Sequence, residues 1–289
     1  MVEVLKKAVI VDTDFSGRDL RGADMSLAHF TRCSFVGSDL GDANAIGARF
    51  DHCDFVGSHL QRTNFTRAVF LACSFSYADL RASVLTETHF RDSDMMGANL
   101  FDAVTWHADL TGVKYLRKRS FRDPETPHQT RLSETNPTVS HECYRTLKHY
   151  LYRSGQHDDA SWAAYRERLM ERKHFFQNRD LRYFPSLLMD LLSGYTEKPQ
   201  RVVMSSLVIV LLFAALYHAF NAIVGVSGAA PGIFNCLYFS FVTFTTVGYG
   251  DIVPRADFLS KALACAEAFA GPFMAGLFVF TLTRRYAAS

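Results

Sequence analysis

At 289 residues the chain has room for two domains, and its formal net charge of +2 conceals two opposed halves. Residues 12–112 hold fourteen Asp/Glu against eight Arg, whereas 113–201 hold seventeen Lys/Arg against eleven Asp/Glu, so the average describes neither. The six cysteines fall at no metal-ligand spacing, which excludes a zinc framework, and the amino terminus lacks the apolar run of a secretory signal, so the first half is expected in the cytoplasm with reduced thiols.

From Phe15 to Leu110 a large apolar residue stands at every fifth position, broken only by Ala45 and Thr105. Small residues such as Ala23, Ala28, Cys33, Ser38, Ala43, Ala48 and Cys53 precede these by two positions, with Arg18 the exception. A period of five fits neither the 3.6 of a helix nor the 2 of a strand, so the unit is one side of a repeating coil. Grouping by twenty aligns Phe30, Phe50, Phe70 and Phe90 in one stack and Phe15, Phe35, Phe55 and Phe75 in another, so four pentads close one turn. Five such turns at the ~4.8 Å spacing of neighbouring strands predict a rod of roughly 24 Å. Cys33, Cys53 and Cys73, twenty apart, then serve as small interior residues.

With ADLRA at 78–82 and ANLFD at 98–102, this segment resembles the pentapeptide-repeat family, which implies a right-handed quadrilateral β-helix. Some members of that family are acidic, DNA-like rods that bind topoisomerases. The acidic balance here leaves room for an unknown cytoplasmic protein or ligand at the repeats. His29, His52, His59 and His89 occupy varied repeat positions with no nucleophile beside them, so no catalytic role is expected.

Residues 113–136 are basic, then polar and proline-containing, and read as a linker. Asn136 is placed to cap a helix with Pro137 in its first turn, and Tyr144, Leu147 and Leu151 form its apolar stripe as far as Gly155. A second helix is expected from Asp158 or Asp159, with Trp162, Tyr165 and Leu169 on one face, closing an antiparallel hairpin. Arg166, Arg168, Arg172 and Lys173 read as a solvated face near anionic lipid, so no nucleic-acid partner is expected. Residues 181–195 are too short to span a bilayer and too apolar to be free, which predicts a helix in the membrane interface.

Residues 202–224 carry no charge and suffice to cross ~30 Å of hydrocarbon, and a second span is expected over 262–283. Lys198 and Arg201 before the first span, with Arg284 and Arg285 after the second, place both termini in the cytoplasm of a multi-pass cell-membrane protein. Between the spans, residues 233–244 are apolar but too short to cross and return, which predicts a re-entrant helix. Irregular backbone at that depth needs a reason to expose its carbonyls, and cation permeation is one. Thr246, Val247, Gly248 and Tyr249 are candidates to aim backbone oxygens at a dehydrated ion, with the Thr246 hydroxyl adding a lower ring; Gly248 and Gly250 permit positive φ.

TVGYG at 246–250 resembles the selectivity filter of potassium channels, and the resemblance extends over 202–285. It implies an all-α two-span pore, a homotetramer in the lipid bilayer, and K+ as the permeant ion at Thr246, Val247, Gly248 and Tyr249, with no organic cofactor. Where some relatives brace the filter with a pore-helix glutamate, this chain has Val242, so Asp251 is expected to pair with Tyr238.

Glu267, deep in the second span, is expected to hydrogen-bond behind the pore helix, to Ser240 or Thr243, or else to face the ion path. Gly271 and Pro272 mark a gating hinge, with Ala275, Phe278 and Val279 as candidates for the gate below it. The reading is thus a mixed fold: a β-helix over 1–112, a helical linker over 113–200 and a pore over 201–289. It is a channel and not an enzyme; the alternative is a membrane-tethered binding module with a closed or vestigial pore.

Overall fold

A computed structural model describes residues 5–123, 125–126, 129–134, 136–225 and 232–286, with side chains described as far as Thr283. The chain divides into two compact units, Met1–Asp180 and Leu181–Ser289.

The first unit begins with a solenoid. Strands β1 (Val9–Val11), β2 (His29–Thr31), β3 (Arg49–Asp51), β4 (Val69–Leu71) and β5 (His89–Arg91) stack in parallel in that order. Their register pairs Ile10 with Phe30, Phe30 with Phe50, Phe50 with Phe70, and Phe70 with Phe90. The twenty-residue grouping is therefore one coil. Rings in a column lie nearly parallel, with Phe30 5.0 Å from Phe50 and Phe35 4.9 Å from Phe55. The coil starts earlier than residue 12, because the Leu5 amide donates to the Asp24 carbonyl, and Leu5 and Ile10 pack on the core.

Every fifth residue from Lys7 to Gly112 has positive φ, whether it is glycine or, as at Asp42, Arg62 and Tyr77, not. That torsion turns each corner, and the turning residue's own amide reaches the next coil. The small interior side chains hydrogen-bond to backbone: the Ser38 hydroxyl donates to the Phe35 carbonyl, and the Cys73 thiol to that of Phe50 at 3.3 Å. Cys33, Cys53 and Cys73 are buried inside the coil.

The segment after Gly112 is not slack. Val113, Leu116, Phe121 and Leu132 are buried in the same core as the solenoid phenylalanines, and that core continues through Cys143, Tyr144, Leu147, Leu151, Ala160 and Met170. These last belong to α1 (Pro137–Arg153) and α2 (His157–Gln177). Asn136 caps α1 by accepting from the Thr138 amide at 3.0 Å. The hairpin is fastened to the end of the coil by the Tyr150 hydroxyl, which donates to the Val113 carbonyl, and by the Arg166 guanidinium, which donates to the Thr130 carbonyl. Glu134 meets Arg166, Lys173 and Tyr144 together. The joint read over 113–200 is thus divided: its helical hairpin shares the solenoid's core, and the change of unit falls at 180/181.

The second unit opens with α3 (Tyr183–Ser193), which leaves Phe184, Leu187, Leu188 and Leu191 exposed along one stripe. The Arg201 guanidinium ties it to α4 (Pro199–Ala219), donating to the Asp190 carboxylate at 2.8 Å. β6 (Ile223–Gly225) follows, then α5 (Ile233–Phe244), β7 (Ile252–Pro254) and α6 (Phe258–Tyr286). β6 and β7 pair antiparallel, Val224 opposite Val253. That pairing ends the first apolar helix before residue 224, because Asn221 takes positive φ and the chain leaves as a strand. α4 and α6 are each long and apolar enough to cross a membrane. Residues 226–231 and the side chains of Arg284 and Arg285, on which the sequence reading of orientation leaned, lie outside the described residues.

Candidate functional site

α5 is twelve residues long, largely apolar with Asn235, Ser240 and Thr243 among its residues, and ends where TTVGYGD begins. Its end is unusual. The Val242 carbonyl accepts from the Val247 amide at 3.0 Å and from the Gly248 amide at 3.4 Å, which folds the following segment back along the helix terminus. Val242 itself is buried.

Beyond that point Thr246, Gly248 and Gly250 take φ of 59°, 56° and 80°, while Val247 and Tyr249 between them do not enter the positive region. Alternation of hand turns successive peptide planes so that their carbonyls can share one side, where an ordinary strand would alternate them. Gly248 and Gly250 adopt the left-handed region without strain, and a Cβ at either would meet nothing within 4 Å. Thr246 is β-branched, and its left-handed backbone is a strained position of the kind that clusters at functional sites. Sequence reasoning assigned positive φ to the glycines only; the alternation through Thr246 was legible had the period of two been followed one step back.

Among the described residues, none donates a hydrogen bond to the carbonyls of Thr246, Val247, Gly248 or Tyr249. These residues are also exposed, Tyr249 at 71%. A polar, strained, uncovered backbone at the end of an apolar helix is an incomplete site in a single chain.

Several contacts hold this segment. Tyr238 of α5 lies near the Asp251 carboxylate, just after the second glycine, close enough for the two to interact electrostatically. Beyond Asp251, the β6–β7 pairing and the Arg255 amide, which donates to the Ala222 carbonyl, anchor the chain's exit. Asp257 then receives the Ser260 amide and hydroxyl at 3.0 and 2.9 Å at the start of α6.

Glu267 is fully buried and joins three helices. Its Oε2 accepts from the Tyr217 hydroxyl of α4 at 2.7 Å, and its Oε1 meets the Ser240 hydroxyl of α5. Thr243 is not among its partners. Tyr217 escaped the sequence reading, although a tyrosine inside an otherwise apolar span signals a hydroxyl in need of a partner.

Gly271 packs directly on the carbonyl of Phe244, the last residue of α5, and a Cβ there would overlap the carbonyl oxygen and stand 2.8 Å from its carbon. The glycine therefore permits close approach of two backbones. α6 runs on through Pro272 as one helix. A cleft of about 450 Å³ brings together Thr245, Thr246, Gly271, Pro272, Ala275 and Phe278; Val279, exposed, lies outside it.

Two families match this chain. Residues 205–288 match the ion-channel family, and eight copies of the pentapeptide repeat match across 8–44, 33–70, 46–86 and 73–114. Among curated proteins, two pore potassium channel b of Oryza sativa subsp. japonica is 56% identical over 45 residues, covering 16% of this chain and 13% of the relative. Two-pore potassium channel 1 of Arabidopsis thaliana is 40% identical over 74 residues, covering 23% of this chain and 20% of the relative. The chain thus spans no more than a fifth of the length of these relatives. Among solved structures, a trypsin-treated form of QnrB1, a plasmid-mediated fluoroquinolone resistance protein, is similar at 18% identity and a TM-score of 0.30, over 39% of this chain and 72% of that one. The chain joins a pentapeptide-repeat solenoid to an ion-channel pore segment.

Proposed function

We propose that the chain is one subunit of a homotetrameric, potassium-selective channel in the cell membrane, with both termini cytoplasmic. The observation that carries this reading is the alternating backbone of Thr246–Gly250, whose carbonyls find no donor among the described residues at the end of a short apolar helix. Four such segments around an axis would cover one another and present rings of oxygens to K+, with the Thr246 hydroxyls as the innermost ring. Potassium is favoured because the relatives that share this segment are named potassium channels.

Tyr238 and Val242 support the filter, the first through Asp251 and the second through its carbonyl. Gly271 and Pro272 form the hinge and Ala275 and Phe278 the gate, with Val279 about one turn of helix below Ala275. Pro272 removes one helical hydrogen bond there, and Gly271 is where α6 pivots on Phe244. The cytoplasmic unit acts on gating or assembly as one stiff body, since its hairpin and solenoid share a core as far as Met170.

Removing residues 1–180 and counting subunits in nanodiscs tests both parts. A truncated chain that forms tetramers with unchanged open probability leaves the solenoid without a gating or assembly role. A full chain that never passes the dimer contradicts the pore.

A further inference from the structure

The hydroxyl of Ser240 touches two oxygens. One is the carbonyl of Val210 on α4, at 2.8 Å, and the other is Oε1 of Glu267 on α6. A carbonyl has no proton to give, and a serine hydroxyl has one. If Ser240 spends its proton on Val210, the contact with Glu267 needs a second proton, and the carboxyl is the group able to supply it. Tyr217 donates to the other carboxyl oxygen, so that oxygen acts as acceptor. With the proton on Oε1, every group in the chain from Tyr217 through Glu267 and Ser240 to Val210 is satisfied once.

The ionised alternative leaves a conflict. Ser240 would have to turn its proton to the carboxylate, and its lone pairs would face those of Val210 at 2.8 Å. A full negative charge would also sit at a fully buried position next to a cluster that includes Phe239, Ala222 and Ile223, compensated by two hydroxyls. Burying a charge without an opposite charge is far costlier than burying a hydrogen-bonded neutral acid.

We propose that Glu267 is a positioning residue that works as a neutral carboxylic acid, donating to Ser240 and accepting from Tyr217, and so locks α4, α5 and α6 into the frame that carries the filter. It sets where the pore helix stands and takes no part in passing ions. This deepens the pore reading and rests on it only for the flux measurement below.

Difference infrared spectra of wild type and Glu267→Gln, in the full-length protein in nanodiscs, test the proton directly. A protonated-acid carbonyl band present in wild type and absent from the variant is the expected result. In Ser240→Ala the band should shift to that of an acid lacking its acceptor. Glutamine puts an N–H donor and a carbonyl acceptor at the same places, with one further N–H left over, so Glu267→Gln should keep potassium flux per tetramer within about twofold, while Glu267→Ala, which strands both hydroxyls, should lower tetramer yield about tenfold. A carboxylate signal in place of the acid band, or a Glu267→Gln variant that falls as far as Glu267→Ala, overturns the proposal. A wild type that shows the acid band but passes no potassium would contradict the pore reading and leave the neutral acid standing.

Discussion

The solenoid and the filter segment are both built on left-handed backbone, and they use it to opposite ends. Along 7–112 the left-handed residue recurs every five positions, and its own amide reaches the next coil, as when the Arg32 amide donates to the Asp51 carbonyl at 2.9 Å and the Gly37 amide to that of Val56 at 2.9 Å. Along 246–250 it recurs every two positions, and the carbonyls between are left without donors among the described residues. A torsion that costs roughly 1–2 kcal/mol for a residue with a side chain is offset in the solenoid by the ladder it completes. Along 246–250 no such ladder exists among the described residues, and in the proposed filter neighbouring subunits and a bound cation are what would offset the cost. The spacing of one torsion therefore separates a closed scaffold from an open site.

The comparison breaks most readily on the scaffold side. Phe50 is fully buried, stacked on Phe30 and Phe70 at 5.0 and 4.9 Å with Phe35, Phe55 and Phe65 edge-on. Phe50→Ala should destabilise the first unit by about 3–5 kcal/mol, read as a lowered denaturant midpoint. A loss below about 1 kcal/mol would mean that the stack is not what closes the coil.

On the pore side, Gly271→Ala comes next. The new methyl meets backbone at Phe244, which has nowhere to rotate, so a cost of about 3 kcal/mol is expected, seen as a lower melting temperature of the solubilised protein. Unchanged stability would show that α6 and the end of α5 do not approach at this glycine.

Gly248→Ala tests the torsion itself. No neighbour within 4 Å obstructs the methyl, so the effect comes from the left-handed φ of 56°. The strain of roughly 1–2 kcal/mol predicts about a tenfold loss of discrimination between potassium and sodium in bi-ionic recordings, with assembly kept. Selectivity equal to wild type would remove the filter's dependence on alternation.

The smallest effect belongs to the solenoid's surface. Arg21 holds the Asp19 carboxyl down to about 2, and Arg62 and Arg67 lower those of Asp42 and Glu87. Folded-state values below the unfolded ones mean stability that is complete above the ordinary carboxylate range and lost as pH falls through the folded values. The melting temperature of the first unit should therefore stay level from neutral pH to about 5 and decline by a few degrees between about 4 and 2, less so in high salt because these pairs are exposed. A decline that begins at neutral pH would point to a different group.

Much of this was legible in the chain. The metre of five disclosed the coil because each interior position repeats its neighbour's environment, and TVGYG pointed to an irregular, carbonyl-exposing segment because few loops require that order of hydroxyl, glycine and aromatic. The fusion of hairpin and solenoid into one unit was not legible, since it depends on contacts such as Phe121 with Trp162 and Tyr150 with Val113, which obey no period. Leu5 and Ile10 were hidden by a first coil whose outer residues, Val9 and Val11, are as apolar as its inner ones. The partners of Glu267 were half legible: Ser240 was expected on α5, but Tyr217 is fifty residues away on α4.

The central claim is that the carbonyls of Thr246–Gly250 select potassium. The most direct measurement is the reversal potential of the full-length protein in a planar bilayer with potassium on one side and sodium on the other. A large reversal potential of the sign that opposes potassium leaving its own side, with the current blocked by external barium, is the result predicted here. A potential near zero, or a bilayer that stays silent with tetramers present, would contradict it.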